Sequence, residues 1–202
     1  MATPYDKTKE GYEIQFGTNH MGHALLTKLL LPILLKTAET SNADVRVINL
    51  SSEGHNMAPS GGINYDQAAL EHAGPWGRYG QAKLANILHA RELAKRYPQI
   101  TATALHPGVI MTDLYTSFQK SWIGGVAAPV MKGLTMAGVL YDVEKGTRNQ
   151  LWCATAAREE VRRSHYWKPI GVEAAGSRYA KDEKLAEQLW DWTEGELEKH
   201  GF

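Results

Sequence analysis

This sequence lacks an excess of either charge: lysine plus arginine and aspartate plus glutamate both total 22, in 202 residues of which 43% are hydrophobic. A balanced surface argues against nucleic acid or an anionic membrane as partner and favours a small molecule. Cys153 is the single cysteine, which excludes an intramolecular disulfide and a cysteine-based zinc site and fits a reducing compartment. The opening residues MATPYDKTKEG hold no apolar signal region. The most apolar long window, 122–141, is broken by Pro129, Lys132 and glycines, so we expect a cytoplasmic protein without a membrane span. None of the 19 glycines stands in a GxGxxG arrangement, the turn that lets a backbone approach a pyrophosphate at a helix start.

What is present reads as one α/β domain over residues 1–202. Residues 8–37 carry apolar side chains at helical spacing, from Tyr12 and Phe16 to Leu25 and Leu29, and become apolar all round near Leu29 to Leu35. We expect a long, largely buried helix bent at Pro32. VRVINLSS (45–52) reads as a strand covered on both faces. Pro75 suits the start of a helix that Pro98 ends, and ITATALHPG (100–108) is a second strand closing in a turn. Strand, helix and strand in that order call for a right-handed parallel crossover. Beyond it we expect an apolar segment at 117–141, a helix near 142–157, a short strand in HYWKPIG and a terminal amphipathic helix.

The chemistry centres on RYGQAKLAN (78–86), which sets a tyrosine and a lysine four positions apart on one helix face. The spacing alone is weak, since Tyr5 with Lys9 and Tyr141 with Lys145 repeat it. Only Tyr79 and Lys83 have a topological context. Ligands of open α/β sheets sit outside the carboxyl ends of the strands. Ser51 and Ser52 end one strand there, Pro107, Gly108 and Thr112 follow the next, and Tyr79 and Lys83 begin the helix between them. A phenol titrates near 10, and a neighbouring ammonium together with a helix N-terminus lowers that value. A serine hydroxyl across the cleft can donate to the same substrate oxygen as charge develops on it. Such a set can move a proton on or off a carbonyl or alcohol oxygen while another group moves hydride.

The ordered segments NHMGH, VINLSSEGH, YGQAK and LHPGVIMTDL resemble the short-chain dehydrogenase/reductase family, nearest its retinol-dehydrogenase-like branch, over essentially the whole chain. The resemblance implies the C-terminal portion of a Rossmann-like, doubly wound parallel sheet with flanking helices. It implies an NAD(P)-dependent oxidoreductase acting on a small lipophilic alcohol or carbonyl, with NADP or NAD as cofactor and a homodimer possible. By motif, Tyr79 would be the general acid/base, Lys83 would lower its pKa and hold the nicotinamide ribose, Ser52 would orient the substrate oxygen, and Asn19 would complete a tetrad. Pro107, Gly108, Val109 and Thr112 would lie against the nicotinamide.

Each residue also has a plainer reading. Asn19 can bond to a neighbouring turn, and Ser51 and Ser52 can end a strand by turn bonding. His20 and His23 are spaced for a metal but lack a third ligand, so they read as packing or surface histidines. His55 and His106 flank the cleft and either touch substrate or pack. The apolar segment 117–141 can cover substrate, fill a core or associate. Ser52 as a hydrolase nucleophile is disfavoured, because NLSSEG lacks the first glycine of GxSxG. Without a glycine-rich turn the sequence also fits a truncated, catalytically incompetent or association-only protein. In that case VRVINLS would be a raw sheet edge.

Overall fold

The computed structural model describes residues 1–110 and 140–202. The apolar segment 117–141 therefore lies, except for Leu140 and Tyr141, outside the described residues. Elements are numbered over what is described. A three-residue helix, α1 (Ile14–Phe16), passes through a π-turn, Gly17–Met21, into α2 (Gly22–Ala38). Strand β1 (Arg46–Leu50), helix α3 (Pro75–Arg96) and strand β2 (Thr101–Leu105) form the expected crossover. Then come α4 (Val143–Thr155), the short α5 (Arg158–Val161), β3 (Tyr166–Lys168), β4 (Val172–Glu173) and α6 (Glu183–Lys199). The sheet order is β1-β2-β3-β4, with β1, β2 and β3 parallel and the two-residue β4 antiparallel on β3. Arg46 lies opposite Thr101 and Leu50 opposite Leu105, which brings the carboxyl ends of β1 and β2 level.

Helix α3 is the centre of the packing. Ala82, Leu84, Ala85, Ile87, Leu88 and Ala90 are fully buried between the sheet and Leu185, Leu189 and Leu197 of α6. Its buried polar side chains are bonded, Arg78 Nε excepted, which makes no hydrogen bond among the described residues. Gln81 exchanges two bonds with the Asn64 backbone, and Glu92 holds Arg96 at 2.8 Å. Asp142 and Asp182 cap α4 and α6 by accepting from Lys145 N and Leu185 N. Arg46 donates to the carbonyls of Cys153 and Ala156 at the end of α4, where a cation is favoured. Cys153 is fully buried, and burial pushes its thiol up to about 12.

Two expectations need correction. The first helix begins at Ile14 rather than residue 8, because Lys7 and Glu13 form a bridge and Glu13 caps α1 by accepting from Phe16 N at 2.9 Å. More consequentially, α2 is not largely buried. Ala24 is its one buried residue, while Leu26, Leu29, Leu30 and Ile33 are exposed, Leu29 by 59%. The cause is topological: β1 is an edge strand, so among the described residues nothing covers the groove of about 450 Å³ that α2 makes with it. Ile14–Ala38 is also, by length and composition alone, the one helix among the described residues long and apolar enough to cross a membrane.

Buried histidines tie the helices together. His20 Nε2 meets Thr193 Oγ1 at 2.9 Å, and His89 stacks on Trp190 at 5.3 Å while its Nδ1 accepts from Asn49 Nδ2 at 3.1 Å. Burial holds both below the usual histidine range, His89 at about 4. Their unfolded forms take up protons below about 6.5, where the folded forms do not. We therefore expect stability to fall as the pH drops from about 6.5 to 4, with His89 alone contributing roughly 3 kcal/mol of loss at pH 4. Chemical denaturation across that window, compared with His89→Gln, measures it. In the core, Leu88→Ala should cost about 2–5 kcal/mol. Leu29→Lys on the exposed face should change stability by less than about 0.5 kcal/mol, read by chemical denaturation.

Candidate active site

The carboxyl end of β1 and the third turn of α3 are stitched together in both directions. Lys83 Nζ donates to Leu50 O at 3.1 Å, and Asn86 Nδ2 donates to the same oxygen at 2.8 Å. In return Ser51 Oγ donates to Lys83 O at 2.7 Å, and Asn49 Nδ2 to Asn86 O at 3.0 Å. These bonds place the half-buried Lys83 beside Tyr79, its Nζ 5.8 Å from the ring centre. Burial of Lys83 pulls its ammonium down to about 8.

Tyr79 is half-buried in the first turns of α3 and is set by two glycines. A Cβ on Gly54 would stand 2.6 Å from Tyr79 Cε1, and one on Gly80 would stand 2.6–2.7 Å from the backbone of Met57, Ala58 and Gly54. The missing side chains let α3 and the turn Glu53–Met57 close on each other, with the Tyr79 ring against Gly54. Ser52 caps that turn by accepting from Gly54 N at 3.0 Å, which leaves its hydroxyl proton unused in the bond.

Asn19 sits in the π-turn, a feature often found at functional positions. Its side chain donates to Gln15 O at 2.9 Å, within its own helix, and its carbonyl meets His23 Nδ1 at 2.9 Å. The π-turn packs on α3, so Asn19 belongs to the same layer as Tyr79 and Lys83, while its bonds to Gln15 O and His23 Nδ1 are local. Pro107 and Gly108 are half-buried past β2, Val109 is exposed, and Gly108 has a φ of +96°, a turn that suits glycine. Thr112 lies outside the described residues.

The other histidines separate. His55 spends both ring nitrogens on structure: Nδ1 meets Ser52 O at 2.6 Å and Nε2 accepts from Ser177 N at 3.0 Å. His106 is buried with Nδ1 unpartnered among the described residues, and its carbonyl accepts from Asn149 Nδ2 at 2.8 Å. Sequence reasoning missed a polar wall beside these groups. Glu53 accepts from Tyr166 OH at 3.0 Å and pairs with Lys168 at 3.2 Å. Burial works to raise the Glu53 carboxyl, but the bonds from Lys168 and Tyr166 outweigh it and hold the group below the ordinary range. Burial, followed by the charge of Glu53, pushes the Tyr166 phenol far up. Tyr166 and Lys168 alternate along a strand more than 100 residues away, and no local pattern links them to Glu53. The competing Tyr141–Lys145 pair is also in contact, with Nζ 4.2 Å from the ring, but it braces the start of α4 against the Gly108 turn.

No protein-family model matches the chain. Curated relatives do. A short-chain dehydrogenase/reductase, drtF, of Aspergillus calidoustus is 36% identical over 98% of this chain and 66% of its own length. Retinol dehydrogenase 12 of Mus musculus is 35% identical over 95% of this chain and 56% of its own. Among solved structures, an uncharacterised protein from Mycobacterium paratuberculosis is 30% identical with a TM-score of 0.66, covering 98% of this chain and 63% of that one. The carbonyl reductase Sniffer of D. melanogaster, at 22% identity and a TM-score of 0.54, shares the fold. The chain thus spans between about half and two thirds of the length of these curated relatives. Its segments NHMGH, VINLSSEGH, YGQAK and LHPGVIMTDL lie within that matched region, and the chain belongs to the short-chain dehydrogenase/reductase family.

Proposed function

We propose that this chain supplies the catalytic wall of an NAD(P)-dependent oxidoreductase that interconverts an alcohol and a carbonyl, with Tyr79 as general acid/base. One observation carries the reading: Lys83 Nζ lies 5.8 Å from the Tyr79 ring centre and donates to Leu50 O, two residues before Ser52, at the carboxyl end of β1, where ligands of open α/β sheets sit. The relatives named as dehydrogenases agree with it. In reduction, Tyr79 gives its phenolic proton to the substrate oxygen, and Ser52 donates a hydrogen bond to that oxygen as charge grows on it. In oxidation, Tyr79 withdraws the alcohol proton. Lys83 favours the phenolate because it is a cation on the same helix face.

A nicotinamide dinucleotide, when bound, supplies or accepts the hydride. The residues suited to it are those of its nicotinamide end. Lys83, a half-buried donor, and Tyr79 would hold the ribose, while Pro107, Gly108, Val109 and Thr112 would flank the ring. Asn19 would support Lys83 from the π-turn. A lipophilic substrate fits both the apolar stretch 117–141 and the relatives named as retinol dehydrogenases.

A second reading rests on the missing GxGxxG: the sequence given carries the catalytic wall without a pyrophosphate cradle, so alone it would retain no dinucleotide. Titration of the 202-residue chain with NADH and NADPH separates the two. Saturable binding supports the catalytic reading and selects the dinucleotide, and no binding supports the second. If turnover is present, Tyr79→Phe should lower it by about 10²–10⁴-fold with dinucleotide binding retained. Lys83→Met should move the acid limb of alcohol oxidation up by about 1–3 pH units, since the phenolate loses its neighbouring cation. In the wild type that support holds below about pH 8, where Lys83 is charged, and fades above it. An unshifted profile in the variant would remove Lys83 from the mechanism.

A further inference from the structure

We propose that the buried ion pair between Glu13 and Arg78 is a positioning device that fixes where the π-turn of Asn19 and the phenol of Tyr79 stand relative to each other. The inference rests on the reading of Tyr79 as the acid/base. Glu13 is 0% exposed and Arg78 is 4% exposed, with Oε1 and Nε 3.3 Å apart. Each partner is tied to a different half of the site. Glu13 sets the start of the helix bearing Asn19, six residues on: its Oε2 accepts from Phe16 N at 2.9 Å, and its own N–H donates to Gln67 Oε1 at 2.9 Å. Arg78 immediately precedes Tyr79. Its guanidinium donates to the carbonyls of Ala73 and Leu70, and to Thr3 O at 2.9 Å, and it lies 5.7 Å from the Tyr5 ring.

These contacts stand where an ordinary fastening is missing. Helix α3 begins at Gly74 with no side-chain cap, so its first turns are held from outside. Gln15 Nε2 reaches Pro75 O at 3.1 Å and runs parallel to the ion pair, making a second tie between the same two helix starts. The interaction is better suited to setting position than to adding stability. A buried ion pair must overcome the desolvation of both charges, and apolar residues of similar volume often stabilise a fold as well or better. What the charged pair offers is direction, because a planar guanidinium with several donors admits few placements. Rotating Arg78 moves Tyr79, its covalent neighbour, and tilting Glu13 moves the turn that carries Asn19.

The test uses the 202-residue chain with Arg78→Met, the paired variant Glu13→Leu with Arg78→Met, and Arg78→Lys. Thermal unfolding reads stability. Tyrosinate absorbance against pH, with the contribution of Tyr79 defined by difference from Tyr79→Phe, reads the site without any cofactor. We expect Arg78→Met to unfold at lower temperature and the paired variant to recover the wild-type midpoint. Its Tyr79 titration should nevertheless shift by about one pH unit or more, and kcat, where turnover exists, should fall by about 10²-fold, the scale of an ångström of misplacement. Arg78→Lys, which keeps the charge but not the fork, should fold and show the same direction of shift. Wild-type titration in the paired variant overturns the proposal and leaves the pair as packing. Should the paired variant fail to fold, a wild-type titration in Arg78→Lys overturns it equally. Absence of turnover in the wild type speaks against the catalytic reading alone, since the tyrosinate titration still decides the positioning role.

Discussion

Leu50 O is the atom on which the arrangement turns. It ends β1, and it accepts from both Lys83 and Asn86 of α3 while Ser51 and Asn49 return bonds to the backbone of the same helix. Reciprocal bonding of this kind removes the freedom of a strand end and a helix to slide past each other, and it occurs where buried polar groups must be satisfied. The consequence for the site is that Lys83 cannot wander. Its ammonium is held at the strand end, partly desolvated, with the aromatic face of Tyr79 beside it. Every other feature of the cleft is measured from that anchor, including the close turn after Ser52 and the polar wall of Glu53, Tyr166 and Lys168.

The crossover was legible because its signals are local. Pro75 opens α3, Pro98 follows its end, and the branched run 46–50 is a strand. The tyrosine and lysine were legible by topology rather than by spacing, as the Tyr141–Lys145 pair, with the same spacing and an even closer contact, shows. The exposure of α2 was not. An apolar helix reads as interior, and only the truncated reading left VRVINLS as a raw edge; among the described residues β1 does end the sheet, which leaves one face of α2 uncovered. The π-turn has no residue signature either, since one wider turn inside a helix leaves the apolar period nearly unchanged.

Charged residues were the hardest to read. Glu13 and Arg78 look like solvated side chains in the sequence and are both buried in the structure. They meet across a separation that no local pattern spans. The same holds for Glu53 and Lys168, whose ends are brought together by the parallel order of β1, β2 and β3. Ser52 illustrates the converse. It was legible as a polar strand end, and the structure gives it a structural duty to Gly54 alongside any duty to substrate.

The burial of Cys153 gives the chain an internal clock. A thiol pushed to about 12 and sealed behind Trp167 and Leu105 is not thiolate at neutral pH and cannot be reached by a thiol reagent while the packing is closed. Any labelling must wait for α4 to part from the sheet. Because this cysteine is the single one in 202 residues, labelling of the whole protein reports the opening of that one layer, and at reagent concentrations high enough to outpace reclosing its rate is the opening rate, legible without a tag or a mutation.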